Sequence, residues 1–146
     1  MANTFHVAVY VHSIPEAVEQ YRKILGIEPA KVRHDYAKFE IADPPVIFSL
    51  NVGGEPGKLS HLGIRYPGTG EVASEIVRTK QASVPLLQQE GTTCCYAKAD
   101  KYWVRDADGM PWEMYTVLAD AEVETAADQT LRHFLTQERP TAGTCC

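Results

Sequence analysis

Apolar and polar residues alternate through 4–11, Thr-Phe-His-Val-Ala-Val-Tyr-Val, with the two-residue period of a strand that buries one face. The period then changes. Ile14, Ala17, Val18, Tyr21, Ile24 and Leu25 recur at helical spacing, behind a capping box of Ser13 and Glu16 and ahead of a helix stop at Gly26. Shorter strand patterns are predicted at about 28–32, 36–41 and 46–51, with Asp43-Pro44-Pro45 as a turn. Gly53, Gly54, Pro56 and Gly57 read as a linker.

After the linker the pattern restarts. Ser60-His61-Leu62-Gly63-Ile64-Arg65 matches Phe5-His6-Val7-Ala8-Val9-Tyr10, and Glu71 follows His61 at the interval by which Glu16 follows His6. A helix over about 71–80 places Val72, Ala73, Ile76 and Val77 on one face. Strands are predicted at 84–89, 95–99, 102–105 and 111–118, with a hairpin turn at Asp106-Ala107-Asp108-Gly109. Val123, Ala127, Leu131, Phe134 and Leu135 give 120–137 the spacing of a further helix. The expected fold is α+β. Two βαβββ modules, about 4–52 and 58–118, form a curved mixed sheet around a metal-binding cavity in one domain, 1–120. A C-terminal helix and a cysteine-ended tail, 121–146, complete the chain.

Strand periodicity also sorts the side chains by face. Phe5, Val7 and Val9 should pack toward the helices, which turns His6, Ala8 and Tyr10 to the other side. The same alternation turns His61, Gly63 and Arg65 away from Leu62 and Ile64, and groups Glu113 with Tyr115 and Val117. Taken singly, either histidine reads as an ordinary exposed or hydrogen-bonded strand residue. Their equivalence in the repeat favours ligation for the pair. Two histidines and a carboxylate on the concave side of a curved sheet would make a facial triad, which suits Fe(II) with open positions; Zn(II), Mn(II) or Ni(II) could take the same ligands.

Composition narrows the setting. A chain of 146 residues is long enough to bury a core in one domain. Its net charge is -5, of which the five acidic and two basic residues after Leu118 supply -3. With no basic patch to neutralise phosphates, a nucleic-acid partner is disfavoured. No apolar run is long enough for a membrane span, and the opening Met-Ala-Asn-Thr-Phe-His is not a secretion signal, so the expected location is the cytoplasm. Thiols stay reduced there, and clustered cysteines point to chemistry rather than stapling.

All four cysteines occur as neighbours, Cys94-Cys95 and Cys145-Cys146. A disulfide between adjacent residues closes a strained ring, so such pairs suit the capture of one soft, thiophilic centre better. In a regular strand adjacent side chains oppose each other, so a shared ligand predicts that the segment around Gly91-Thr92-Thr93-Cys94-Cys95 is non-strand, or poorly ordered without ligand.

The two modules with His6, His61 and Glu113 resemble the vicinal oxygen chelate superfamily, which includes glyoxalase I, extradiol dioxygenases and bleomycin-resistance proteins. Thr92-Thr93-Cys94-Cys95-Tyr96-Ala97, followed by Asp100-Lys101-Tyr102-Trp103-Val104, is similar to its branch of organoarsenical carbon–arsenic lyases and cadmium-induced proteins. That resemblance implies that His6, His61 and Glu113 hold non-haem Fe(II) and that Cys94 and Cys95 bind trivalent arsenic as a dithiolate. Tyr96 and Lys101, read as part of the same loop, would orient substrate or stabilise charge. It further implies a small trivalent organoarsenical and dioxygen as partners, with arsenite and an oxidised organic fragment as products. Homodimers occur in such families, and the linker would permit one.

Other residues weigh less. His12, His34 and His133 read as solvated, and Trp103, Trp112, Phe39 and Phe48 as core or cavity wall. Arg65 could pair with Glu113, with another acid or with an anionic substrate. Ser49 and Asn51 stand where glyoxalase I-type members would bring another acidic ligand, which weakens a glyoxalase reading. The rival functions are a thiolate binding protein for cadmium or arsenic without catalysis, and a drug-binding or isomerising protein that ignores the thiols.

Overall fold

The computed structural model describes residues 2–94, 96–122 and 129–136. The element order is β1 (Thr4–Tyr10), α1 (Ile14–Leu25), β2 (Lys31–Val32), β3 (Tyr36–Ile41), β4 (Val46–Asn51), β5 (Leu59–Arg65), α2 (Thr69–Gln81), β6 (Leu87–Cys94), β7 (Ala97–Arg105), β8 (Pro111–Asp120) and α3 (Gln129–Thr136). The α+β expectation of two βαβββ runs followed by a helix is met. The chain divides into two compact units, Met1–Arg65 and Tyr66–Cys146.

In the first unit the strands lie in the order β2-β3-β4-β1-β5. β1 runs parallel to β4 and antiparallel to β5, so the sheet is mixed. Helix α1 starts where Ser13 Oγ accepts the Glu16 N–H at 3.4 Å and stops at Gly26, whose φ of 70° is the left-handed turn that glycine adopts without a Cβ clash. Ile14, Ala17 and Val18 from its buried face meet Ala37, Phe39 and Leu50 of the sheet, with Val9, Tyr21 and Phe48 at the margin. Phe5 departs from the expected inward set: it is 40% exposed, whereas His6 and Ala8 on the opposite face are buried. The helix-side cluster includes Val9 but not Phe5, so the apolar face of β1 is covered toward its C-terminal end only.

The second unit orders its strands β8-β7-β6, all antiparallel. Helix α2 buries Val72, Ile76 and Thr79, while Val77 is 55% exposed, so its inward stripe is rotated from the predicted one. Thr79 Oγ1 lies 3.3 Å from the Tyr102 hydroxyl, which ties the helix to the sheet. The expected break between 99 and 102 is absent, because β7 is continuous. Helix α3 covers only Gln129–Thr136; Asp120, predicted to start it, ends β8 instead, and 123–128 lie outside the described residues. Leu131 is buried, and the Arg105 guanidinium sits 5.7 Å from the Phe134 ring centroid. No helix of the described residues is long and apolar enough to cross a membrane.

Tyr66 yields a pH dependence. Burial first, then the neighbouring Tyr102 and Glu75, pushes its phenol up to about 12. The unfolded phenol ionises near the usual value of about 10, so folding keeps Tyr66 protonated where the unfolded chain would lose the proton. That stabilisation is intact below pH ~10 and is lost as pH rises through ~12. Melting temperatures measured from pH 9 to 12 are expected to fall more steeply for the wild type than for Tyr66→Phe. Parallel profiles would remove Tyr66 as the cause.

Candidate active site

In the first unit β1 and β5 pair with His6 opposite Gly63 and Ala8 opposite His61. That register places both histidines on one face, with ring centroids 5.3 Å apart. His6 is buried. Its Nε2 is hydrogen-bonded to Ser49 Oγ at 3.1 Å, and Ser49 in turn to the Tyr36 hydroxyl at 3.2 Å, with both partners buried. His61 is half-buried, and its Nδ1 is hydrogen-bonded to Ser60 Oγ at 3.0 Å. Each imidazole is thus held in orientation through a hydroxyl. On the same face Arg65 pairs with Glu40 at 3.3 Å, and Lys38 with Glu40 at 3.2 Å, which realises the "another acid" option for Arg65. Burial pushes the Glu40 carboxyl up, but Lys38 and Arg65 outweigh it and hold the group below the usual carboxylate range.

In the second unit Trp103 lies opposite Glu113, and Lys101 opposite Tyr115. Residues directly opposite in an antiparallel pair share a face, so all four project to one side. Glu113 is buried, and Lys101 Nζ donates to its Oε2 at 3.0 Å. Lys101 therefore lies mid-strand in β7 and not in the cysteine loop, contrary to the sequence reading. It is itself buried, and its ammonium sits 6.0 Å from the Trp103 ring centroid. Trp103 Nε1 donates to Gln89 Oε1 at 3.2 Å, which brings β6 into the same surface.

The cysteine segment corrects the prediction of a loop. Thr92, Thr93 and Cys94 belong to β6, and Cys94 pairs with Ala97. A β-bulge between Gln89 and Thr92 decides which way they point. In an unbroken strand Leu87 and Gln89 would share a face with Gly91 and Thr93. The extra residue shifts the alternation, so Thr92 lies opposite Ala99 and Cys94 opposite Ala97, on the face of Lys101 and Glu113. Gly91 makes the bulge possible with φ 57°, and its N–H donates to Asp100 Oδ1 at 2.7 Å. Cys94 is half-buried rather than packed in the core. Tyr96, buried with φ 59°, occupies the turn into β7, which starts at Ala97 rather than Cys95. Cys95, Cys145 and Cys146 lie outside the described residues.

Sequence reasoning missed three contributors. Ser49 stands in the sequence only as a missing carboxylate, and Tyr36 only as the start of a strand, because a hydrogen bond between residues 43 positions apart leaves no local pattern. Gly91 did leave a signal, a glycine inside an otherwise strand-like run, which is the usual mark of a bulge.

The whole arrangement has a family. Residues 4–114 match the model of the Glyoxalase/Bleomycin resistance protein/Dioxygenase superfamily. The chain belongs to this superfamily. Among relatives, it is 41% identical over 117 residues to the cadmium-induced protein CadI of Mycobacterium tuberculosis, covering 80% of this chain and 77% of the relative. It is 36% identical over 126 residues to the trivalent organoarsenical cleaving enzyme of Thermomonospora curvata, covering 85% and 83%. An extradiol ring-cleaving dioxygenase from B. fuscum shares the fold at a TM-score of 0.59 and 14% identity, over 80% of this chain and 33% of that one. His6 and His61 in the first unit offer two imidazoles and Glu113 in the second a carboxylate, donor types that suit a divalent metal.

Proposed function

We propose that this superfamily member is an Fe(II)- and dioxygen-dependent lyase that cleaves the carbon–arsenic bond of trivalent organoarsenicals. His6, His61 and Glu113 are the metal ligands, and Cys94 with Cys95 is the arsenic clamp. The observation that carries the reading is the bulge at Gly91, which turns Cys94 to the side of its sheet that bears Glu113 and Lys101. A thiol on that side can hold substrate against the carboxylate of the ligand set. The name of the Thermomonospora curvata relative supplies the substrate class.

The chain's own residues define most of the mechanism. Each thiol that takes arsenic displaces one hydroxyl as water, so two thiols fix a methyl- or aryl-arsenical with the organic group as third substituent. Fixing the substrate at two points removes rotational freedom from the step that follows. Fe(II), when bound, supplies the electron-transfer chemistry through which dioxygen reacts. For methylarsenite one dioxygen balances the products as arsenite and formaldehyde: arsenic stays trivalent, and the methyl carbon gives up the four electrons that dioxygen takes. The Lys101 ammonium, donating to Glu113 Oε2 at 3.0 Å, holds that carboxylate in place. Tyr96, buried in the turn beside the clamp, closes its rim against water.

The test is arsenite release from methylarsenite by iron-loaded protein in air and under nitrogen. Release in air with none under nitrogen is expected. Equal release in both removes dioxygen from the reaction. The identity with CadI supports a second reading, a thiolate sink for cadmium or arsenic, which requires tight capture with no release in either atmosphere.

A further inference from the structure

A cleft opens in the first unit where the end of β1 meets the start of α1 and the Pro56-Gly57 segment of the linker. It encloses about 280 Å³, which is at the small end of ligand sites and admits a body of one ring. Neither His6 nor His61 is among its walls. Val9, Ala17 and Tyr21 give it an apolar floor, and the exposed residues His12, Glu16 and Gln20 stand at its rim. Its two tyrosines are pinned in place. The Tyr21 ring meets Phe48 edge-on, 4.7 Å between centroids. The Tyr10 ring lies so close to Gly54 that a Cβ there would stand 2.5 Å from Tyr10 Cδ2.

We propose that this cleft binds a small organic ammonium, a primary amine in its charged form on an apolar body of about one ring. Glu16 sets the sign of the charge. It is the only carboxylate among the described residues that line the cleft, and no lysine or arginine joins it there. The other acids of this helix and its exit are paired, Glu19 with Arg22 at 3.5 Å and Glu28 with Arg22 at 2.7 Å. The Glu16 carboxylate has no such cation among the described residues. An anion would meet that like charge and find few donors at the helix start. Pro15 has no N–H, and those of Glu16 and Ala17 both go to Ser13, to its Oγ at 3.4 Å and its carbonyl at 3.0 Å. A hard metal ion fits no better, since one carboxylate over an apolar floor cannot replace the six or more oxygens it requires. An ammonium on an apolar body satisfies both halves of the cleft. Gln20 follows Glu16 by one helical turn, so its amide oxygen lies beside the carboxylate as a second acceptor. The body covers Val9 and Ala17, and the tyrosine rings attract a cation as well as hydrocarbon. This site does not depend on the lyase reading.

The experiment is an NMR titration of the full-length protein with phenethylammonium, following backbone amide shifts residue by residue. Shifts at Ala17, Gln20 and Gly57 are expected to saturate with a Kd of about 1 mM or below, in keeping with so small a ligand. Two probes keep the ring and change the charge: 2-phenylethanol is neutral and phenylacetate is an anion. Both should bind at least about tenfold more weakly, the worth of one charge-assisted hydrogen bond. Glu16→Gln keeps the shape of the side chain and should weaken phenethylammonium by about the same factor, with amide positions away from the cleft unchanged. Gln20→Glu adds a second carboxylate and should tighten it about threefold. Shifts centred on other residues, or none that saturate, overturn the proposal. Equal affinity for 2-phenylethanol overturns it too, because the cleft would then recognise only the ring. So does unchanged binding in both the Glu16 and the Gln20 variants, which would leave the carboxylate without a part in recognition.

Discussion

Replacing Cys94 and Cys95 together by serine is expected to lower kcat/KM for methylarsenite cleavage by at least about a thousandfold, or about 4 kcal/mol of transition-state stabilisation. Serine keeps the shape but exchanges a soft sulfur, ionisable near neutral pH, for a hard hydroxyl that is not. The arsenical then loses both covalent anchors, and the reaction loses its orientation. The fold should not change with it. Cys94 is only half-buried at the end of β6, and substitutions away from the core stay within about 0.5 kcal/mol of wild type. Arsenic speciation of the reaction mixture, with melting curves of both proteins, checks the two halves together. A double variant that still released arsenite at a tenth of the wild-type rate would take the thiols out of the chemistry. Retained cleavage would then favour a member that uses its metal and ignores the cysteines.

How much of this was legible in the chain follows from which signals are local. Helix α1 was readable because its cap, periodicity and stop all lie within 13–26, and the structure places α1 at Ile14–Leu25. The histidine pair was readable for a different reason. Repetition marked His6 and His61 as equivalent, and the pairing of β1 with β5 brings their rings together. The strand through Cys94 is hidden in the sequence because Gly91, which reads there as a loop-former, builds a bulge with Asp100 and lets β6 continue to Cys94. Lys101 reads as a loop residue in the sequence, since no local pattern shows that a lysine will be buried; its partner Glu113 is twelve positions away on the adjacent strand. The orientation of His6 by Ser49 and Tyr36 was out of reach for the same reason.

That buried lysine–glutamate pair carries the second large effect. Glu113→Ala is expected to destabilise chelator-treated protein by about 3–5 kcal/mol and to abolish retention of a divalent metal. The stability loss arises because Lys101, only 4% exposed, stays buried after its carboxylate acceptor is gone. Desolvating a charge is costly, and the Glu113 carboxylate offsets that cost at 3.0 Å. Removing both charges tells a different story. Lys101→Met combined with Glu113→Met should recover most of the lost stability, since apolar side chains of similar volume replace a buried ion pair with little net change. Metal retention should not recover with it, because two imidazoles remain where the ligand set needs a carboxylate. Chemical denaturation of metal-free protein and metal analysis after dialysis read the two effects separately. Recovery of stability without recovery of metal makes Glu113 a ligand whose burial Lys101 makes tolerable. If the double variant bound metal as wild type does, Glu113 would be a structural carboxylate, and the ligand set would have to be sought without it.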